Sequence, residues 1–361
     1  MNKLIKKGVY AIASLLIFFG CSDYEQENFQ EIELIRTGGV QVSNKTDQAE
    51  LIYGSLEVVD ESGIAYGIDF RKRLPYKLSL QTGEFQFLSD QGSGPRELRL
   101  PSQLTHKNES EFYVYDTSLD VVARFVEDEI VEKVAGFLRH NVWIRNPKGY
   151  YWNNHIITSI KEPEKVTALN FENAKPLAFL NLSDSTITKH GIFSTTVDDL
   201  DQFNKYPMIA LSGEEEAVYY VFYSDYSIMK YDIAQDTTTT ASYYKSSKMR
   251  EKTVPVDPDN PDIYGMAKVY GLDISQVVDL VIMNQELIAV WYNATDQYYD
   301  NRNFSSDDLD FFGVVYDLPD LSNPREFTLP GKFLGTWGNR LLIEENDDVM
   351  EYTIGFYEFS E

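Results

Sequence analysis

The chain is predicted to be all-β, a single six-bladed β-propeller of four-stranded antiparallel blades. Three observations lead there. Short runs rich in Val, Ile, Tyr, Phe and Thr recur along nearly the whole chain, broken by clusters of Asp, Asn, Gly, Ser and Pro, the pattern of many antiparallel strands. One hairpin pattern repeats through the sequence. No linker rich in Pro, Gly or Ser divides the 361 residues, of which 43% are hydrophobic and 14% aromatic, so one globular core is expected.

The strand-like runs are 63–70, 76–80, 84–88, 111–115, 121–126, 217–223, 227–233, 287–292, 311–316 and 340–343. Amphipathic helical periodicity is scarce, and 274–284 is the one stretch expected to be a helix. The repeat is clearest where Glu111-Phe-Tyr-Val-Tyr-Asp116 leads through a polar turn to Val121-Val-Ala-Arg-Phe125. Ala217-Val-Tyr-Tyr-Val-Phe222 followed by Ile228-Met-Lys-Tyr-Asp232 is a second version, Ile64–Asp69 with Leu74-Pro-Tyr-Lys-Leu78 a third, and Arg340-Leu-Leu-Ile with Val349-Met-Glu-Tyr352 a fourth. Each is an apolar strand, a polar turn, and a second strand with a charged residue beside an aromatic.

Taking Tyr66, Tyr113, Tyr151, Tyr220, Leu287 and Leu341 as markers of successive hairpins gives an average interval of about 55 residues. Four-stranded blades recur at about 40–50 residues, so six blades with some long loops fill the chain. A closed ring also leaves only short, protected strand edges.

The N-terminus has its own organisation. Lys3, Lys6 and Lys7 precede an uncharged, mostly apolar run from 8 to 19, then Gly20 and Cys21. That order is a secretory signal, too short to span a bilayer, which takes about 20 apolar residues. Gly20-Cys21 resembles the lipobox of bacterial lipoproteins, which implies cleavage before Cys21 and lipidation of its thiol. The expected organisation is a signal peptide over 1–20, a lipidated acidic tether over 21–38 and the propeller over 39–361. Asp23, Glu25 and Glu27 in the tether resemble a surface-export signal, so the expected location is the bacterial outer membrane, periplasmic or surface-exposed.

Removing residues 1–20 takes three lysines and no acid, leaving 29 basic against 57 acidic residues, a formal charge of −28. Such a surface repels nucleic-acid phosphate and anionic headgroups, so no nucleic-acid partner is expected and membrane attachment falls to acyl chains on Cys21. Cys21 is the sole cysteine; with it acylated, disulfides, thiolate metal sites and cysteine nucleophiles are excluded.

Asp90-Gln-Gly92-Ser-Gly94-Pro95-Arg-Glu97 precedes Pro101-Ser-Gln-Leu104 and the Tyr113-Val-Tyr-Asp116…Arg124-Phe125 hairpin. In this order the segment resembles the six-bladed β-propeller lipoproteins that are TolB-like and related to NHL repeats. The resemblance implies the propeller fold on a lipidated tether and carries no defined activity. On physical grounds Gly92, Gly94 and Pro95 make a structural turn, the glycines giving access to positive φ and the proline fixing the exit. A phosphate loop would want a lysine and a following helix, and Pro101 leaves no room for one.

Catalytic patterns are sparse. Ser55 and Ser93 lie beside glycines without the Gly-x-Ser-x-Gly spacing of a nucleophile elbow. His106, His140, His155 and His190 are scattered, with no pair at metal-ligand spacing. Asp257-Pro-Asp259-Asn-Pro-Asp262 offers the oxygen ligands that Ca²⁺ takes, and Asp296 to Asp310 is a second acidic excursion. Trp152, in the polar run with Asn154 and His155, is the tryptophan placed for a surface ligand.

Two functions are therefore expected from the sequence. The first is a lipid-anchored cell-envelope propeller that binds a glycan, a peptide or an envelope protein, with basic partner surfaces favoured by the charge. The alternative is a propeller enzyme, a hydrolase or lyase acting on a carbohydrate or lactone, with Ca²⁺ held in the channel.

Overall fold

The structure, a computed structural model, describes residues 30–42, 56–58, 62–69, 72–138, 148–160, 174–194, 206–223, 225–250, 268, 271–300, 308–346 and 352–360. Strands β1 (Gln30–Glu31) and β2 (Leu34–Val42) come first. A meander follows of β3 (Glu57–Val58), β4 (Ile64–Asp69), β5 (Leu74–Ser79) and β6 (Phe85–Phe87), then a short parallel pair, β7 (Asp90–Gln91) and β8 (Glu97–Leu98). Next are β9 (Pro101–Asn108), β10 (Glu111–Asp116), β11 (Val121–Val126) and β12 (Glu129–Ala135), and β13 (Lys148–Trp152), β14 (His155–Ser159), β15 (Leu177–Asn181) and β16 (Ile187–His190). The chain continues through β17 (Pro207–Ser212), β18 (Ala217–Phe222), β19 (Ile228–Asp232), β20 (Thr237–Ser242), β21 (Gln276–Met283) and β22 (Glu286–Ala294) to a one-turn helix α1 (Asp296–Asp300). Strands β23 (Leu309–Asp317), β24 (Ser322–Thr328), β25 (Lys332–Trp337), β26 (Arg340–Asn346) and β27 (Tyr352–Phe359) complete it.

The fold is all-β and propeller-like. Four sheets stand separately: β3 to β6, β17 to β20, β21 to β24 with β1 added outside, and β25 to β27 with β2 outermost. An eight-stranded sheet consists of two antiparallel meanders joined through parallel pairing of their first strands, β9 and β13. The first strands lie on the inside. β17 packs against β14 and β21, β25 against β21 and β3, and β4 against β9, so the succession returns to its start.

The core sits between successive meanders. Val221 and Ile228 of one meet Val277, Trp291 and Phe312 of the next. Leu342, Ile354 and Phe356 of the last sheet meet Ala65, Tyr76 and Leu78 of the first. Fully burying one such side chain is worth about 1.5–3 kcal/mol, so each seam rests on several large contributions.

Two expectations are corrected here. Residues 274–284 are not helical: β21 occupies Gln276–Met283. As an inner strand it is covered on both sides, so its apolar residues run together and the period-2 signal disappears. The tether does not reach 38: β1 and most of β2 fall inside 21–38, and β2 pairs with β27 from Leu34↔Phe359 to Val42↔Tyr352. Val40 and Val42 are buried, and Ile32 and Leu34 pack against a second core cluster. The N-terminal strand thus supplies the outer edge of the sheet that the C-terminus leaves open.

Candidate functional site

At the inner edge, Lys148 opens β13 and Asp279 lies at a bulge in β21. Their strands do not pair, since β17 lies between them, yet Lys148 Nζ is 2.5 Å from Asp279 Oδ2 and each side chain is 8% exposed. The pair spans the inner edge and neutralises both charges where desolvation is costly. Gln103 Nε2 on β9 donates to the Lys148 carbonyl at 3.0 Å and to Thr158 Oγ1 at 2.6 Å, tying two meanders to the same point.

Around it, the charged residue beside an aromatic recurs as a cross-strand device. Tyr113 pairs with Arg124, Tyr219 with Lys230, Tyr66 with Lys77 and Tyr357 with Arg36. In each a carboxylate accepts from both partners. Glu111 Oε1 takes Tyr113 OH at 2.7 Å and Arg124 Nε at 2.8 Å, and Glu345 Oε1 takes Tyr357 OH and Arg36 Nε, both at 2.6 Å. Glu215 does so for Tyr219 and Lys230, and Asp128 for Tyr66 and Lys77. Burial pushes the Glu111 carboxyl up, but hydrogen bonds from Arg124, Tyr113 and Lys107 outweigh it and hold the group at about 2. Burial, then the Glu345 hydrogen bond, raises Tyr357 to about 12.

Because the meanders share one strand direction, their connections sort onto two faces. The second-to-third turns and the links between meanders lie on what we term the loop face. Gly92, Gly94, Pro95 and Glu97 are there, and the turn is structural. Gly94 N donates to Glu97 Oε2 at 2.8 Å, Gly92 N donates to the Leu98 carbonyl, and Lys133 Nζ donates to the carbonyls of Gly94 and Glu97. The reason for glycine differs from the expected one. Neither Gly92 nor Gly94 has positive φ, but a Cβ on Gly92 would lie 2.0 Å from Glu97 Oε2. Asp116 is fully buried; its Oδ2 accepts from Arg99 N and Leu100 N and its Oδ1 from Leu119 N.

The loop face also carries Tyr223 and Tyr292, which both donate to Gln276 Oε1. Tyr298 and Tyr299 sit edge-to-face on α1, 5.1 Å between centroids. Burial raises Tyr292 far above its ordinary value, the neighbouring Tyr223 adding to it.

The opposite face, the turn face, holds the first-to-second and third-to-fourth turns. Trp152, Asn154 and His155 lie here on one hairpin. Asn153 and Asn154 take positive φ, as a two-residue hairpin turn requires. Asn154 Nδ2 donates to Ser183 Oγ at 2.7 Å, His155 Nδ1 is 2.9 Å from the Asn153 carbonyl, and Trp152 packs against a core cluster.

The described turns of this face carry one sign of charge, with Lys77, Lys230 and Arg340 reaching them from the adjoining strands. Those turns contain Glu84, Glu109, Glu127, Asp128, Asp184, Glu214, Glu215, Glu216, Asp236 and Asp320 and no lysine or arginine. The loop face carries Lys72, Arg73, Arg96, Arg99, Lys175, Lys245, Lys248 and Arg250. A groove of about 410 Å³ opens on the turn face between the β17 to β20 and β21 to β24 sheets.

Cys21 and the acidic run with Asp257, Asp259 and Asp262 lie outside the described residues. Among the described residues no three His, Cys, Asp or Glu side chains gather as a metal site. Sequence reading did not find Lys148, Asp279 or the groove, because each joins residues distant in the chain. The charged residue beside an aromatic was visible in the hairpin repeat, but Arg36 and Tyr357 pair across strands from opposite ends of the sequence and belong to no such hairpin.

Fold and site together define an all-β protein of propeller-like arrangement with two chemically different faces. Solved structures share that fold. A member of the DUF4221 family from Bacteroides vulgatus matches with a TM-score of 0.71 at 11% identity, over 92% of this chain and 100% of its own. A protein from Bacteroides fragilis described as exported matches at 0.56 and 10%, over 92% and 99%. A calcium-binding protein, regucalcin, from Agrobacterium tumefaciens matches at 0.50 and 12%, over 91% and 96%. No family model and no curated protein matches the chain.

Proposed function

We propose that the protein is a lipid-anchored β-propeller of the cell envelope that binds a partner with a basic surface, using its turn face. The observation that carries this reading is the charge of that face, acidic in every sheet that contributes a charged turn. One-signed surfaces steer oppositely charged partners and speed encounter at low ionic strength. In this reading the eight-stranded sheet is two blades joined at β9 and β13, and the ring has six, as in the TolB-like lipoproteins. The likeness to a Bacteroides protein described as exported agrees with an envelope location.

The anchor fits the same arrangement. β1 runs parallel to β24, whose first residue follows a turn-face turn, so the chain reaches Gln30 from the turn-face side. Nine residue steps separate Cys21 from Gln30, at most about 30 Å of extended chain. With Cys21 acylated, the turn face is directed toward the membrane and its partner is a basic envelope protein at that surface. The test is chemical cross-linking of the lipidated protein in envelopes at low and high salt. The reading expects cross-links from turn-face residues to proteins with basic surfaces, lost at high salt. Cross-links confined to the loop face would refute it, and a glycan or Ca²⁺ that shifts the melting temperature would point to the carbohydrate-active alternative.

A further inference from the structure

The turn-face groove has a composition that the charge alone does not explain. Its floor is apolar, made by Leu211 at the end of β17, Ile282 near the end of β21, and Leu318 and Pro319 in the turn before β24. Ile282 and Leu318 are partly buried and pack against the large core cluster between the two sheets, so the floor is held rigidly by the seam. Its wall is the turn Gly213-Glu214-Glu215. Glu215 is committed inward, accepting Tyr219 OH at 2.9 Å and pairing with Lys230. Glu214 points no such bond inward and is exposed, with exposed Glu216 and Asp320 close by in sequence and fold. A slot of about 410 Å³ with an apolar floor, Ser212 and Gln285 also in its lining, is therefore bordered by the exposed Glu214, with Glu216 and Asp320 beyond it and no lysine or arginine in any described turn of that face.

Open space stands above the wall. A Cβ built on Gly213 meets nothing within 4 Å, and its backbone conformation is one that any residue adopts. The glycine is thus required by neither backbone strain nor close packing within the chain, and a side chain added at this groove-lining position would extend into open space.

We infer that this groove takes an aliphatic side chain of a partner peptide whose flanking residues are lysine or arginine, the aliphatic group filling the slot and the cations meeting the acidic rim. This inference rests on the acidic turn face as the binding surface and names the segment that it recognises. Charge complementarity chooses the flanks, and the apolar floor chooses the centre.

Fluorescence anisotropy of the detergent-solubilised full chain tests it with two labelled peptides, Lys-Leu-Lys-Leu-Lys and Lys-Ser-Lys-Ser-Lys, at low and physiological salt. The leucine peptide should bind about tenfold tighter or more, the change expected for hiding one leucine side chain. Gly213→Phe, which fills the slot from an unstrained position, should abolish that preference while leaving the melting temperature and the salt-dependent binding of the serine peptide unchanged. Glu214→Gln should weaken both peptides alike. A leucine preference that survives Gly213→Phe would overturn the groove. Equal, salt-sensitive binding of the two peptides would overturn it too and leave the acidic face standing; no binding of either at low salt would overturn both.

Discussion

Replacing Lys148 by methionine keeps the alkyl stem and removes the ammonium. Asp279 then holds a buried carboxylate, 8% exposed, without the cation 2.5 Å away. At an effective dielectric of about 20 the lost attraction is about 7 kcal/mol, but forming the pair also costs several kcal/mol per ion in desolvation. The intact pair is therefore close to neutral, while breaking it costs roughly 3–5 kcal/mol. At about 2 °C per kcal/mol for a domain of this size, Lys148→Met should lower the melting temperature by about 6–10 °C. The double variant Lys148→Met with Asp279→Leu should recover most of that loss, because two apolar side chains replace the pair at similar volume. Differential scanning calorimetry of the detergent-solubilised full chain at pH 7.5 measures both. A single variant melting within about 2 °C of the parent would refute the reasoning, and so would a double variant as unstable as the single one. The second result would show that the loss does not come from leaving the Asp279 carboxylate unpaired.

Further outcomes follow from the same structure. The Glu111 carboxyl is depressed to about 2 from an ordinary 4.5, so its contribution of about 3 kcal/mol is present above pH 4.5 and lost as pH falls toward 2; in urea unfolding, Glu111→Gln should flatten that part of the stability–pH curve. Gly92→Ala displaces the Glu97 carboxylate from its bond to Gly94 N and should cost about 1 kcal/mol, an effect Glu97→Ala should suppress in a double-mutant cycle by calorimetry. Cys21→Ser should move the protein from the membrane fraction to the soluble one on ultracentrifugation; retention in the membrane would exclude the acyl anchor. In vesicles carrying the lipidated protein, a spin label at Asn154 on the turn face should be shielded from aqueous quencher relative to one at Lys72 on the loop face, and the reverse order would exclude the proposed orientation.

The elements legible in the sequence are those whose signal is local. β10, β11, β18 and β22 announce themselves because short runs rich in β-branched and aromatic residues are bounded by polar turns, even though β10 and β18 are buried throughout. The Tyr113 and Arg124 pairing was legible too, since hairpin register fixes which residues face each other. β21 was hidden by burial on both sides. β2 was hidden because Leu34-Ile-Arg-Thr-Gly-Gly-Val-Gln-Val42 is a plausible tether until its partner, more than 300 residues away, is known. Lys148 and Asp279 are 131 residues apart, and no spacing rule reaches that far. Gly92 was identified as a turn residue for the wrong reason: what excludes a side chain there is the carboxylate of Glu97 folded back within the same turn, not positive φ.

The charge asymmetry has a topological origin. In a meander whose first strand always runs the same way, the first-to-second and third-to-fourth turns fall on one face in every sheet. A modest preference for Glu and Asp in tight turns, where Glu127, Asp128, Glu216 and Asp236 also tolerate positive φ, then adds in phase from sheet to sheet instead of averaging out. The loops on the other face are longer and mix lysines and arginines with acids such as Asp90, Asp120, Asp225 and Asp308, whereas among the described residues the acidic face is met only by cations that reach it from strands, such as Lys77 at Asp128 and Lys230 at Glu215. At an ionic strength of about 0.15 M the Debye length is about 8 Å, close to the roughly 9.5 Å of two strand spacings that separate the two turns of one sheet, and neighbouring carboxylates therefore act on an approaching cation together. Lys77 and Lys230 reach this face from strand positions and are taken up by Asp128 and Glu215, so the turn residues left exposed there, Glu214, Glu216 and Asp320 among them, remain acidic.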